Sequence, residues 1–128
     1  MTYVSPTDDI IVQEGTFGFS FEASGAISAG QLVKPAGPMQ VVKSTSNLDN
    51  CVGVAAYTVT KGEVVTVYGP GNIVRGYCGS STAVGSDLYA GNNTAGAFDD
   101  TSAYGITAPC VGIALEGAKS GAIRILLK

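Results

Sequence analysis

The sequence predicts an all-β protein in which two similar, duplicated units form a compact barrel or sandwich of short strands. Two observations carry this prediction: short apolar runs separated by glycine, and an internal repeat. Of the 128 residues, 18 are glycine and 45% are hydrophobic. No stretch keeps the 3.6-residue apolar period that a helix longer than about two turns requires. The sequence leaves open whether the two units form one barrel or two lobes.

Three segments have the pattern of β-strands. Phe17–Phe21 places an aromatic ring at every second position, which is typical of a half-buried strand. Val64–Tyr68 and Ile123–Leu127 are largely β-branched or apolar runs. Gly62 and Gly121 come shortly before these two runs and supply the residue that a tight turn requires.

The most specific feature of the sequence is its internal repeat. Cys51–Ala55 reads Cys-Val-Gly-Val-Ala, and Cys110–Ala114 reads Cys-Val-Gly-Ile-Ala. In each copy a glycine follows the cysteine by eleven positions, at Gly62 and Gly121. The small residues of the motif indicate a strand that another backbone approaches closely, with cysteine acting as a small hydrophobic residue.

The repeat extends towards the N-terminus and defines the domain organisation. Ser28–Val33 parallels Ala83–Tyr89, and each segment carries a glycine before its apolar residues. We therefore expect one β domain over residues 15–128, with similar units at about 15–68 and 69–127. A chance match in a sequence rich in Gly, Val and Ala is the alternative to duplication.

Two segments are candidates for contacts with a partner. Residues 1–14 lie outside both units and are predicted as an N-terminal arm with the apolar triplet Ile10-Ile11-Val12. The arm either frays before an edge strand or adds a strand to a partner's sheet. Residues 91–109 are predicted as a long loop, equivalent to 34–50 in the first unit, which forms a surface excursion or a contact surface.

The pattern of cysteines indicates a role in core packing rather than in catalysis or metal binding. Cys51, Cys78 and Cys110 form no close pair of the kind that metal sites use. Free buried thiols are the favoured interpretation, and a Cys51–Cys110 disulfide is the alternative. No histidine is present to activate a thiol or to bind a metal. We therefore predict no catalytic residue, no metal, no cofactor and no enzymatic activity; a hydrolase has no candidate residues.

Composition and charge narrow the range of partners. Only 13% of the residues are charged and the formal net charge is −3, so the chain has little with which to neutralise a run of phosphates. The first residues lack the basic start and apolar stretch of a signal peptide. No apolar segment approaches the roughly 18 residues of a transmembrane helix. We expect a soluble, unprocessed protein that binds neither nucleic acid nor membrane.

The sequence resembles the small capsid cement or head decoration proteins of tailed bacteriophages. The resemblance runs from about residue 15 to 128 and rests on Ala29–Val33, Val84–Tyr89, Val111–Ala118 and the final strand Gly121–Ile125. It implies a β-rich structural virion protein, made in the host cytoplasm, on the outer face of an icosahedral head. It also implies homotrimers that bind the major capsid protein. The N-terminal arm lies outside the resemblance.

Two functional hypotheses follow. As a decoration protein, the chain would contact its partner through the arm and the long loop, with the candidate residues Tyr3, Ile10, Ile11, Val12, Phe98 and Tyr104. As a non-catalytic carbohydrate- or receptor-binding module of a phage tail or adhesin, it would stack sugars on exposed tyrosines. The candidates for such stacking are Tyr68, Tyr77, Tyr89 and Tyr104. The absence of tryptophan weakens the second hypothesis.

Overall fold

A computed structural model describes residues 18–78, 82–91, 94–100, 108–117 and 121–128, and these residues form ten strands and no helix. The all-β prediction is thereby confirmed. The first five strands are β1 (Gly18–Ala23), β2 (Leu32–Gly37), β3 (Gln40–Lys43), β4 (Gly53–Ala55) and β5 (Val64–Tyr68). The second five are β6 (Ile73–Cys78), β7 (Asp87–Ala90), β8 (Phe98–Asp99), β9 (Gly112–Ala114) and β10 (Gly121–Leu127).

Each set of five strands closes into its own barrel. The first barrel has the cyclic order β1-β3-β2-β4-β5, and the second has the same order, β6-β8-β7-β9-β10. In both barrels the first and third strands pair in parallel and the other four pairings are antiparallel. The predicted duplication is confirmed, and it takes the form of two barrels. Each of the ten described strands therefore has a partner strand on both sides.

Matched hydrogen bonds show the duplication at the level of single residues. The N–H of Gly30 donates to the carbonyl of Ala55 over 2.9 Å, and the N–H of Gly85 donates to that of Ala114 over 2.8 Å. The same correspondence holds for the bonds Val52 N–H to Val33 O and Val111 N–H to Leu88 O. Gly30 and Gly85 also share a left-handed backbone, with φ of 89° and 87°. The sequence alignment of these two glycines is therefore confirmed.

The alignment of Gly62 with Gly121 differs from the structural equivalence by one residue. Ala55 pairs with Val67 in the first barrel, whereas Ala114 pairs with Ile125 in the second. Equal spacing from the repeated motif would place Leu126 opposite Ala114. The pairing of β9 with β10 is therefore one residue closer in sequence than the pairing of β4 with β5.

Two glycines of the repeated motif sit where another strand passes very close. A methyl group on Gly53 would overlap the carbonyl oxygen of Tyr68. A methyl group on Gly112 would lie 2.7 Å from Cγ2 of Ile125 and 3.1 Å from the carbonyl oxygen of Leu126. The close approach predicted from the small residues of the motif is confirmed, because no side chain fits at either position without displacement.

The two barrels are joined through a shared apolar cluster. The interior of the first barrel is a separate cluster of small and β-branched residues that includes Val33, Val41 and Val65. The larger cluster fills the second barrel and also contains Leu32 and Val54 of the first barrel. These two side chains lie on the outside of the first barrel, where the second barrel covers them. Residues 69–72 form the turn that links the barrels, and the N–H of Asn72 donates to the carbonyl of Gly69 over 3.4 Å.

Phe98 is a core residue, which corrects its assignment as a partner contact. Its side chain is 0% exposed and belongs to the cluster that fills the second barrel. The segment 91–109, predicted as one long loop, contains β8, and this strand turns Phe98 inward. Opposite it lies Gly76, where a methyl group would come within 2.5 Å of Cε1 of Phe98. The ring therefore occupies the space that a side chain at residue 76 would need.

Candidate interaction surfaces

Most of the predicted contact residues lie outside the described part of the chain. Of the six candidates, the structure places only Phe98, and it buries that ring in the core. The other five candidates belong to the arm or to residues 101–107, neither of which is described: Tyr3, Ile10, Ile11, Val12 and Tyr104. Their proposed role stays a prediction.

The contact between the barrels shows how one unit binds another. The loop before β8 reaches the start of β2 and the end of β3 in the first barrel. There Gly96 donates its N–H to the carbonyl of Ser44 over 2.9 Å, and its own carbonyl accepts the N–H of Leu32 over 2.8 Å. A turn of the second barrel is thus bonded through its backbone to two strand ends of the first. We call this contact the inter-barrel joint.

The loop between β3 and β4 supports the joint from the first barrel. Asn47, which is buried, donates its side-chain N–H to the carbonyl of Ala90 in the second barrel. Asp49 holds the loop by accepting the N–H groups of Thr45 and Ser46 over 2.7 and 2.9 Å. An ion pair of 3.3 Å with Lys34 completes this arrangement.

The carboxyl of Asp49 titrates below its ordinary range. Burial by itself raises its pKa, but hydrogen bonds from the backbone of Thr45 and Ser46, together with Lys34, outweigh burial and lower the pKa. Asp49 is therefore held as the carboxylate at neutral pH, the form that accepts both N–H groups. This loop conformation places Ser44 and Asn47 against the second barrel.

The equivalent end of the first barrel carries exposed apolar side chains. We define the barrel-end patch as Phe19, Pro35, Pro38 and Met39. Phe19 occupies the position of the fully buried Val74 in the second barrel, yet it is 60% exposed. Met39 occupies the position of Gly96 and is 65% exposed. The first barrel thus presents to solvent the surface that the second barrel uses at the joint.

Met39 also has an unusual backbone conformation. Its φ of 53° is left-handed, and Met39 is the one non-glycine residue with a positive φ among the residues that the structure describes. Gly96 adopts the same conformation at the equivalent turn, with φ of 77°. A left-handed backbone is unfavourable for a residue with a Cβ atom. A strained residue that also exposes a large apolar side chain is a candidate contact residue.

A second apolar surface lies on the outside of the second barrel. We define the outer-face patch as Val84, Ile113 and Leu126. These residues are equivalent to Ala29, Val54 and Tyr68, which pack into or against the shared cluster in the first barrel. Val84 is 70% exposed, and Ile113 and Leu126 are half-buried.

The tyrosines proposed as sugar platforms are placed differently from one another. Tyr77 is exposed, Tyr89 is half-buried, and Tyr68 packs against the shared cluster. Tyr104 lies in a part of the chain that the structure leaves undescribed. Of the described tyrosines proposed to stack on sugars, Tyr77 therefore has the one well-exposed ring.

The surroundings of the cysteines and acidic residues bear on catalysis and metal binding. Cys51, Cys78 and Cys110 are free thiols, and burial raises the pKa of the Cys51 thiol to about 12. A thiol with this pKa is protonated at neutral pH and is a poor nucleophile. Among the described residues, no group of three or more Cys, Asp or Glu side chains is arranged to hold a metal ion. Within the same residues, no helix is long and apolar enough to cross a membrane.

A small cleft lies between the barrels, close to the Cys51 thiol. Its internal volume is about 10 Å³. Such a space holds about one water molecule. Both barrels contribute to its lining, which consists of Leu32, Cys51, Val52, Gly53, Pro70, Val111, Leu127 and Lys128. The cleft is a packing feature of the joint and is too small for a substrate.

Comparison with known proteins identifies a solved structure of similar fold. No family model and no curated protein matches the chain. Among solved structures, the fold is similar to the crystal structure of the N base of head fiber gp8.5 in bacteriophage phi29, with a TM-score of 0.65 and 22% sequence identity. The match covers 88% of this chain and 93% of that chain. At this identity the likeness establishes a shared fold, and the resemblance to the cement family stays a prediction.

Proposed function

We propose that this chain is a structural protein of a bacteriophage virion that decorates the outer surface of the head. In this proposal it binds the major capsid protein, associates with copies of itself as a homotrimer, and carries out no catalysis. The observation that carries the proposal is the fold match to a phage head fiber base over 88% of the chain. The sequence resemblance to capsid cement proteins, found independently, points to the same class of protein.

The surface chemistry supports a binding role. Large apolar side chains are exposed at the barrel-end patch and at the outer-face patch, although only 13% of the residues are charged. Clustered apolar surface rimmed by polar residues is typical of interfaces between proteins. The high pKa of the Cys51 thiol and the lack of a metal cluster among the described residues leave such contacts as the better-supported use of the surface.

Mass action gives the mechanism by which such a protein would stabilise a head. A protein that binds the expanded shell but not its unassembled subunits stabilises the shell by its binding free energy. Association of several copies multiplies weak contacts, because the second and third contacts of one assembly form at a high effective concentration. Neither effect requires a catalytic group.

Co-sedimentation tests shell binding directly. The purified chain is mixed with empty shells assembled from the major capsid protein encoded in the same genome, in unexpanded and in expanded form. We expect the chain to sediment with the shells and to saturate at a fixed ratio to the capsid protein. A chain that stays in the supernatant with both forms would contradict the proposal.

The N-terminal arm gives this experiment an internal comparison. Deletion of residues 1–12 is expected to abolish co-sedimentation and to leave the β domain folded, as judged by circular dichroism, because the arm lies outside both repeated units. Unchanged binding by the shortened chain would contradict the role of the arm. A chain that ignores shells but gives a specific signal on a glycan array would favour the alternative, a carbohydrate- or receptor-binding module.

A further inference from the structure

Strand β1 is paired along its length on one side but only at its end on the other. On the first side it pairs with β5 through the five residues Gly18–Glu22. On the other side its parallel pairing with β3 is limited to Glu22 and Ala23, because β3 begins only at Gln40. Among the described residues, no strand pairs with the start of β1 on this side. We call the residues Gly18–Ser20 the open edge of β1.

The open edge presents backbone groups to solvent. Glu22 donates its N–H to the carbonyl of Met39 over 2.9 Å, on the side of β1 that faces β3. Every second residue of a strand directs its N–H and C=O to the same side, so Gly18 and Ser20 direct theirs as Glu22 does. Both residues are exposed, and no described residue is bonded to their backbone groups on this side. Such an edge is a template for a further strand.

The equivalent edge of the second barrel is covered. Among the described residues, the pairing of β6 with β8 is as short, since it is limited to Cys78. The positions equivalent to Gly18 and Ser20 are nevertheless shielded from solvent: Ile73 is half-buried and Arg75 is 7% exposed. The open edge of the first barrel also holds neither lysine nor proline, the residues that commonly protect a free edge. We therefore expect a strand to cover it.

We propose that the chain's own N-terminal arm covers the open edge, with Ile10–Val12 as an antiparallel strand beside Gly18–Ser20. The arm lies outside the described residues, and its sequence supports the assignment. In this register residues 13–17 form a five-residue hairpin loop that contains Gly15. So short a loop costs little entropy to close, which favours pairing within the chain over pairing with another copy.

The arm and the open edge match in length and in residue type. The open edge ends where Glu22 bonds to Met39, so it accommodates about three residues of a further strand. Ile10–Val12 are three consecutive β-branched residues, the type that strands favour. Residues 6–9 read Pro-Thr-Asp-Asp, and proline and aspartate are disfavoured in strands, so the pairing would end there. The proposal concerns the free chain and requires no part of the proposed function.

Amide hydrogen exchange, followed by nuclear magnetic resonance, tests the docking of the arm. The full chain is compared with a chain that lacks residues 1–14. We expect the Ser20 amide to exchange at least about tenfold more slowly in the full chain, because the arm accepts its N–H. The Phe21 amide is the matched control, since it faces β5, where Phe21 pairs with Val65. Equal Ser20 rates in the two chains, with Phe21 protected in both, would overturn the proposal.

Two proline variants of the full chain test the register. Val12→Pro removes an N–H that faces Gly18 in the proposed pairing, whereas Ile11→Pro removes one that faces solvent. We expect Val12→Pro to raise the Ser20 exchange rate to that of the shortened chain, and Ile11→Pro to raise it by less. Equal acceleration by the two variants would overturn the proposed pairing.

Dilution separates docking within the chain from docking between copies. We expect the protection of the Ser20 amide in the full chain to be the same at every protein concentration. Protection that is lost on dilution would show that the arm of another copy covers the edge, and it would overturn the proposal. No shell is present in these measurements, so their failure leaves the co-sedimentation test of the proposed function unaffected.

Discussion

The two barrels have the same strand order but fill their interiors in different ways. In the first barrel, β1 carries Phe21 and β3 carries Val41. At the equivalent positions the second barrel has Gly76 on β6 and Phe98 on β8. The aromatic ring has moved from one strand to its neighbour, and the smaller residue has moved the other way. The duplicated units therefore retain the topology while the interior volume is redistributed between neighbouring strands.

The barrels also differ in what covers their ends. The second barrel buries Val74 in a cluster that includes residues of the first, whereas the first barrel exposes Phe19 at the same position. The comparison shows that equivalent positions in the two barrels differ in exposure.

The largest expected effect comes from the repeated glycines. Gly53→Ala should prevent folding or cost more than about 3 kcal/mol of unfolding free energy, since the added methyl group meets the backbone carbonyl of Tyr68. Gly112→Ala should cost about 1–3 kcal/mol, because its nearest neighbour is a side-chain methyl group of Ile125 rather than a backbone carbonyl. Urea denaturation of the two variants measures the difference. Equal losses would show that the two motifs are packed more alike than the structure indicates.

The next largest loss of stability is expected at the two core positions where the barrels exchange a large and a small residue. Phe98→Ala should cost about 3–5 kcal/mol by leaving a cavity in the second barrel. Phe98→Val and Gly76→Phe should each destabilise the chain, while the double variant, which copies the first barrel, should recover part of the loss. A double-mutant cycle on unfolding free energies measures this coupling, which we expect at about 1 kcal/mol or more. Strict additivity would contradict the exchange of volume.

Substitution of Asp49 tests whether the loop between β3 and β4 supports the inter-barrel joint. Asp49→Asn should cost about 1–2 kcal/mol at pH 7, because the carboxylate accepts two N–H groups and pairs with Lys34. Because folding lowers the pKa of Asp49, its contribution is present above the ordinary carboxyl pKa and is lost as the pH falls through the folded value. The difference in stability between wild type and variant should therefore shrink below about pH 4. A difference that stays constant from pH 7 to pH 3 would exclude this role.

The smallest effect distinguishes the two equivalent turns. Met39→Gly should stabilise the isolated chain by about 0.5–1 kcal/mol, because glycine adopts the left-handed backbone without strain. Gly96→Ala should destabilise it, since the added methyl group would lie 2.7 Å from the Gln31 side chain. Thermal melting of both variants, at concentrations where the chain is monomeric, provides the comparison. Destabilisation by Met39→Gly would show that its side chain packs within the chain.

Much of the fold was predictable because its signals are local. Left-handed glycines such as Gly30 and Gly85 mark turns, and the repeated Cys-Val-Gly motif marks a strand crossed closely by another. The number of barrels was not predictable, because closure depends on pairing between distant strands. Phe98 was misplaced for a related reason: its polar surroundings resemble a loop, and its partner in the core, Gly76, has no side chain to indicate it.

The exposed contact candidates were less accessible to sequence reasoning. Met39 follows Pro38 in what the sequence presents as a loop, and its left-handed φ leaves no mark on the residue pattern. Val84 stands before the turn glycine Gly85, where an apolar residue suggests burial. The exposure of these two residues stands out only when they are compared with Gly96 and Ala29, the equivalent residues of the other barrel, which are buried. The internal repeat was the signal in the sequence, but the equivalent positions of the two barrels could be identified only from the three-dimensional structure.

A reconstruction of shells saturated with the chain, by electron cryomicroscopy, tests the central claim most directly. Shells assembled with and without the wild-type chain are compared, and the difference density is fitted with the two barrels. We predict difference density on the outer surface of the head, with copies of the chain in contact with capsid subunits and with one another. Shells that show no added density, or that show it only on the inner surface, would contradict the proposed role as a decoration protein.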